Sequence, residues 1–331
     1  MSVFKESESY RPFQYPWATE AARKHSIDMF WDVHQVELQE DLRQYNSKDG
    51  LKTENVSHEV NKNIIDKVLC LFTEMDKTVG GSYTKLIPRI GNNEIRNLLI
   101  TFVGREVVHQ RAYALLAETF GFSDSDWVIF SEYVEMQDKL DIMSQEGELE
   151  SKLDDAKLLA KILLGEGIGL FAAFACFLNY KRQGLLVGFN DVNAWSLADE
   201  AFHVENNMRV LVHIREDLSE VENIELDKYI VSLAGGYVDA EIKFIDLVFE
   251  LGDQEDLTKE DLQEYIRYLH DLRLYQLDLM DYTEVRVNPL KWMEWMLGAK
   301  KHSNFFEKRV TDYSHNKLQG EVDYAKYVIT P

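Results

Sequence analysis

Apolar residues recur at steps of three and four along nearly the whole chain, and no sustained alternation at a period of two competes with them. The pattern predicts helices at about 20–30, 57–80, 92–120, 125–145, 154–183, 190–217, 224–251, 258–284 and 289–298. Separators such as 121–126 and 251–260 are short and polar, and no repeat of solenoid length is visible. Long helices joined by short loops predict an all-α antiparallel bundle. It would occupy residues 16–301, between an N-terminal tail at 1–15 and a flexible C-terminal tail at 302–331 with little periodicity.

Acids interrupt the apolar stripes. In the segment 92–120, Ile95, Leu99, Phe102, Glu106, His109, Tyr113, Leu116 and Phe120 follow at steps of 4-3-4-3-4-3-4. In 57–80 the stripe is Ile65, Leu69, Phe72, Asp76 and Val79; in 154–183 it is Leu159, Leu163, Glu166, Leu170, Phe174 and Phe177. The segment 190–217 carries Glu200 and His203, with Asn207, Val210 and Ile214 along the same side. Four helices thus each place an acid on a face that should be apolar. An unpartnered buried carboxylate costs several kcal/mol or takes up a proton, and four together repel one another.

A cation resolves the conflict. Carboxylates with two imidazoles and no thiolate suit Fe or Mn. One carboxylate from each of two helices, with Glu-x-x-His from each of two others, is the donor set of a di-metal carboxylate bundle. With nine His in the chain, a single Glu-x-x-His is expected by chance. Two of them on apolar stripes, with Glu166 and Asp76 on two more, are not. Asp76 is preferred to Glu74, which lies off its stripe.

Composition narrows the partners. The chain has 331 residues and a formal net charge of −22, which excludes non-specific nucleic-acid binding and anionic membrane surfaces. Its two cysteines, Cys70 and Cys176, lie among apolar residues, so neither a disulfide framework nor a thiolate metal site is expected. The longest apolar run, 168–178, is about half of the ~20 residues that span a bilayer. With no signal-peptide pattern at the start, a cytoplasmic protein is expected.

Two residues extend the site. Tyr113 follows His109 by one turn, about 6 Å along the axis, where a phenol beside an oxygen-activating centre can lose an electron. Asp199 precedes Glu200 and lies about 40° around the helix from His203, placed to accept from an imidazole N–H.

The opening RPFQYPWATEAARKHSIDMFWDVHQVELQED and the blocks FTEMDKTV, GREVVHQRAY, LLGEGIGLFAAFA, ADEAFH and NPLKWMEWML stand in order. Over about residues 10–315 they resemble the small, radical-generating subunit of class I ribonucleotide reductase. The resemblance implies a ferritin-like di-metal carboxylate bundle with extra helices. It assigns Asp76 and His109 to one metal, Glu166 and His203 to the other, and Glu106 and Glu200 as bridges. It implies two metal ions per chain, Fe first, with Mn or mixed Fe/Mn also fitting the ligands. The centre would activate oxygen and oxidise Tyr113 to a stored radical. Trp31 and Asp199 would begin a transfer path that ends at the tail residues Glu307 and Tyr313. The tail would dock a large catalytic subunit, where ribonucleotides are reduced to deoxyribonucleotides, and the small subunit would be a homodimer.

Some residues depart from the family pattern. Ser196 stands where an aliphatic residue is expected near Tyr113, and the ending DYAKYVITP lacks the commoner acidic-aromatic form. Gly167 and Gly169 beside Glu166 predict a local helix distortion. A ferritin-like iron store would need no Trp31, Asp199 or Tyr313. The alternative from another class is a di-metal oxidase or hydroxylase acting on a small molecule.

Overall fold

The computed structural model describes residues 2–7, 13–123, 125, 132–144 and 147–294, with side chains at all of these except 73–79, 134, 136, 143 and 144. The helices are α1 (Pro16–Arg23), α2 (Gln39–Asn46), α3 (His58–Leu86), α4 (Asn93–Phe120), α5 (Val134–Ser144), α6 (Lys152–Gly167), α7 (Phe171–Arg182), α8 (Val187–Arg215), α9 (Glu220–Val248) and α10 (Lys259–Gln276). Among the described residues the only extended pairing is one bridge between Gln254 and Leu257, so the all-α expectation holds.

The helix starts are chemically specified. Ser57, Asn92, Ser151, Ser219 and Thr258 each accept a backbone N–H of the first turn of α3, α4, α6, α9 and α10. Asp154, Glu222 and Asp261 return the bond to the caps of α6, α9 and α10. At its other end α4 stops at Gly121, where φ is 86°.

Helix α3 packs on α4 and α6 on α8, and contacts of α3 with α6 and of α4 with α8 close a four-helix bundle. Helix α9 covers α6 and also meets α5 and α10, while α1 lies on α4. Every residue from 158 to 180 is buried. Residues 152–182 form the one described segment long and apolar enough to cross a membrane, and its most apolar stretch lies wholly inside the bundle. Ahead of α1, Val3 is buried and its carbonyl accepts Asn92 N–H at 2.9 Å.

Several boundaries differ from the periodicity. The expected helix 154–183 breaks at 168–170, as Gly167 and Gly169 foretold. A Cβ on Gly169 would lie 2.9 Å from Gly165 O and 3.2 Å from the Tyr237 ring. Arg273 Nε donates to Gly167 O at 3.1 Å, satisfying a carbonyl beside the break. Helix α3 runs on past Gly80 and Gly81 to Leu86, six residues beyond the expected end. The expected helix 20–30 gives way at Lys24–Asp28 to a π-helical turn, and Trp31 follows in an irregular link. The expected helix 258–284 ends at Gln276, because Asp278 turns left-handed (φ 60°) and Leu279 N–H closes on Leu274 O at 2.8 Å. Helix α2 carries too few apolar residues for the periodicity to register. The described part of 125–145 is helical at Val134–Ser144. Residues 302–331, the expected tail, lie outside the described residues.

Candidate metal centre

The four bundle helices bring the interrupting acids together. Glu106 on α4, Glu166 on α6, and Glu200 and His203 on α8 each offer a ligand atom, and these atoms lie within 4.8 Å of one another. His203 Nδ1 is 3.3 Å from Glu106 Oε1, 3.3 Å from Glu200 Oε2 and 3.4 Å from Glu166 Oε1. His109 joins from α4, with Nδ1 at 3.1 Å from Glu200 Oε1 and 3.7 Å from Glu106 Oε2. All five side chains are buried. Asp76 belongs to α3, but its side chain lies outside the described residues, as do Glu307 and Tyr313 altogether.

The electrostatics are those of a site built around positive charge. Burial pushes Glu166 up to about 8 despite the nearby His203. Burial acts in the same sense on Glu200, but the adjacent His109 and His203 imidazoles outweigh it and hold this carboxyl below its ordinary value. Burial would lower both imidazoles. Instead Asp199, Glu106 and Glu200 raise His109, and Glu166, Glu106 and Glu200 raise His203, well above the usual range.

Among the described residues, Glu106 Oε1, His109 Nδ1, both Glu200 oxygens and His203 Nδ1 are buried without a hydrogen bond. Such atoms are rare in folded cores. All belong to side chains of this cluster, and all are oxygen or imidazole nitrogen. This donor set fits Fe or Mn.

Asp199 sits behind the cluster. Its Oδ2 accepts Trp31 Nε1–H at 2.7 Å and lies 3.1 Å from His109 Nε2, while Arg105 Nε is 3.3 Å away. Burial would raise its pKa, but His109 and Arg105 bring it down to about 2. The expected placement of Trp31 beside Asp199 is therefore realised in space across 168 residues of sequence.

Tyr113 is fully buried. Its hydroxyl donates to Asn193 Oδ1 at 2.9 Å, and its ring stacks on Phe72 with centroids 4.5 Å apart. Phe174 packs against Phe72 at 4.8 Å. Ser196 is buried, and its hydroxyl makes no hydrogen bond among the described residues.

Besides Arg105, four contributors escaped the sequence reading. Tyr83 donates its hydroxyl to Glu166 Oε1 at 2.8 Å, and Asn207 Nδ2 donates to Tyr83 Oη at 2.6 Å and to Glu166 Oε2 at 3.1 Å. Burial, then Glu166, raises the Tyr83 phenol well above its ordinary value, so it remains a proton donor. Its signal was present: the stripe 65-69-72-76-79 continues to 83 in the same step pattern, hidden by the apparent stop at Gly80 and Gly81. A Cβ on Gly80 would meet Glu106 Cβ at 3.5 Å, which shows how closely α3 approaches α4 here. Asn207 was placed on the stripe of α8 but given no role. Asn193 and His25 carried no pattern of their own.

Residues 7–289 match the family model described as "Ribonucleotide reductase, small chain". The chain belongs to that family. Among curated relatives it is 28% identical to the probable ribonucleoside-diphosphate reductase small subunit 376L of Invertebrate iridescent virus 6, across 97% of both chains. It is 26% identical to the corresponding protein 048L of Invertebrate iridescent virus 3, across 97% of this chain and 88% of that one. Among solved structures, the ribonucleotide reductase R2 subunit from Clostridium botulinum superposes with a TM-score of 0.75 at 20% identity, covering 88% of this chain and 91% of that one. The fold is the ferritin-like helical bundle.

Proposed function

We propose that this chain is the small subunit of a ribonucleoside-diphosphate reductase, and that Tyr113 stores the oxidising equivalent it delivers to a large subunit for reduction of ribonucleotides. The observation that carries the reading is the convergence of Glu106, Glu166, Glu200 and His203 on one buried point, with His109 beside them. Together with Asp76 they would hold two metal ions, Fe, Mn or one of each. When bound, those metals supply oxygen-dependent one-electron oxidation of Tyr113.

The chain's own residues account for the rest. Burial and the stacked Phe72 ring keep water from the Tyr113 phenol, and Asn193 orients its hydroxyl. Asp199 holds His109 and Trp31 on one oxygen, so the outer edge of a ligand is continuous with the start of a transfer path. From Trp31 the equivalent would pass to Tyr313, with Glu307 assisting, on a tail docked to the large subunit. A homodimer is part of this reading. Ile100 and Val107 on α4 and Ile27 and Phe30 beside it are exposed, as an apolar face awaiting a second copy would be. A cytoplasmic location completes it. The family match does not favour a small-molecule oxidase or hydroxylase.

The test is anaerobic loading with Fe(II) or Mn(II), exposure to air, metal analysis and electron paramagnetic resonance. The expected result is about two metals per chain, as the donor set of such bundles holds, and a tyrosyl signal that Tyr113→Phe removes while the metals stay. Glu166→Ala or His203→Ala should lose metal. A fully active wild type without a tyrosyl signal would place the oxidising equivalent elsewhere.

A further inference from the structure

We infer that His25 is a positioning residue for the metal centre: it holds the proton of His203 on Nε2 and so reserves His203 Nδ1 for a divalent transition metal. The inference rests on the metal-centre reading above and adds a residue that no metal-ligand pattern includes.

Hydrogen-bond polarity along one buried line leaves a single assignment. Thr101 Oγ1 lies 2.7 Å from Leu98 O. A carbonyl oxygen has no proton to give, so the hydroxyl's only proton lies on that contact. Toward His25 Nδ1, 3.1 Å away, Thr101 Oγ1 can therefore only accept. The proton of His25 sits on Nδ1, and its Nε2 is a bare acceptor. That Nε2 faces His203 Nε2 at 3.2 Å. A second proton on His25 would set two N–H groups against each other across that gap, so His203 Nε2–H donates and His25 accepts. The remaining His203 nitrogen, Nδ1, is the one directed at Glu106, Glu166 and Glu200.

The surroundings hold His25 to this task. It is 1% exposed, lies parallel to the Phe202 ring at 5.2 Å and meets the Phe102 ring edge-on at 5.2 Å. It belongs to the π-helical turn Lys24–Asp28, where Met29 N–H closes on Lys24 O at 3.0 Å. Such turns recur at functional sites. Arg105 clamps the segment by donating to the carbonyls of His25 at 3.3 Å, Met29 at 3.1 Å and Trp31 at 3.4 Å. The other nearby acceptor, Asp199 Oδ1, is 3.7 Å from His25 Nε2, too far for a hydrogen bond.

The two imidazoles of the centre are consequently unequal. His109 turns its outer nitrogen to a carboxylate, Asp199, whereas His203 turns its own to a neutral imidazole. A carboxylate partner raises ligand basicity more than a neutral one. On this ground a metal held through His203 would be the more weakly bound of the two.

Two variants and one spectrum test this. His25→Phe keeps an aromatic ring between Phe102 and Phe202 but removes the acceptor. His25→Gln returns an acceptor oxygen near the position of Nε2. Titration with Mn(II), read by paramagnetic resonance, should show two sites in wild type and one site weakened about 10- to 100-fold in His25→Phe. His25→Gln should stay within about threefold of wild type, and urea unfolding should confirm that both variants are folded. Nitrogen-15 spectra of the histidine-labelled, metal-free protein should show His25, identified by its loss in His25→Gln, as a neutral ring protonated at Nδ1. A His25 proton on Nε2 overturns the inference. So does wild-type affinity at both sites in a folded His25→Phe, or a folded His25→Gln as weak as His25→Phe. A wild type that takes no Mn(II) ends the metal-centre reading itself and this role with it.

Discussion

Trp31 and His109 share one acceptor: Nε1 of the indole and Nε2 of the imidazole lie 2.7 Å and 3.1 Å from the same oxygen, Asp199 Oδ2. Their rings are nearly parallel, 17° apart, with centroids separated by 5.6 Å. A carboxylate can serve two such donors at once, and His109 and Arg105 keep it charged. Asp199→Asn retains the shape but puts an N–H₂ or a single neutral oxygen where both donors converge. Metal affinity should fall about 10- to 100-fold, and turnover of the assembled reductase should fall further. Metal titration and deoxyribonucleotide assay check this; wild-type turnover in the variant would remove Asp199 from the proposed path.

Tyr83 and Tyr113 are both buried phenols near the centre, with different partners. Tyr83 donates to Glu166 and accepts from Asn207, whereas Tyr113 donates to Asn193. Tyr83→Phe leaves two buried polar groups short of a partner and should cost about 1–3 kcal/mol in urea unfolding. The tyrosyl signal should survive it. A signal lost in Tyr83→Phe and kept in Tyr113→Phe would exchange their roles.

Lys139 on α5 and Glu241 on α9 form a fully buried ion pair, with Lys139 Nζ 4.2 Å from the Phe244 ring centroid. Burial raises Glu241 to about 7 despite Lys139, and lowers Lys139 despite Glu241. Cys176 on α7 faces the pair with its thiol pushed up by burial. The folded state therefore holds the Glu241 proton more tightly than the unfolded chain does. Stability from this group is full below the unfolded value of 4.5 and is lost as pH rises toward about 7. Lys139→Met with Glu241→Leu should flatten that decline and be neutral or stabilising by about 1–4 kcal/mol, whereas Glu241→Leu alone should cost about 3–5 kcal/mol. Urea titrations across the pH range, compared with wild type, decide it.

The break between α6 and α7 depends on missing side chains. Gly169→Ala drives a Cβ to 2.9 Å from the Gly165 carbonyl, a backbone atom that cannot swing aside. A loss of about 1–3 kcal/mol is expected, with weaker metal binding because Glu166 lies between. Gly81→Ala, exposed in α3 with nothing within 4 Å of its Cβ, should instead gain up to about 1 kcal/mol. Thermal unfolding of the two variants tests the contrast.

Residues 302–331, the expected tail, carry the remaining prediction. Deleting residues 314–331 should abolish association with the large subunit while leaving the metals and the Tyr113 radical intact. Tyr313→Phe should still form the complex but lose turnover, because phenylalanine is not oxidised at an accessible potential. Substantial turnover would pass the role to Tyr324 or Tyr327, or to no tail residue.

Residue types and spacing alone carried much of this protein. Steps of three and four show which face of α4, α6 and α8 is buried, and the acids on those faces, Glu106, Glu166 and Glu200, stand out because a buried carboxylate needs a countercharge. His109 and His203 follow from their place one turn beyond two of them, and the weak helix at Gly167 and Gly169 follows from backbone freedom. Those are short-range properties, legible from neighbours in the chain. What only the tertiary structure decided are pairings across long gaps: His25 with His203, Tyr83 with Glu166, Asn193 with Tyr113, Lys139 with Glu241. No local periodicity encodes these, because a hydrogen bond between elements depends on how two helices cross and rotate about their axes. Helix ends behave likewise: α3 continues through Gly80 and Gly81 because close packing on α4 stabilises a helix whose own propensity would end it there.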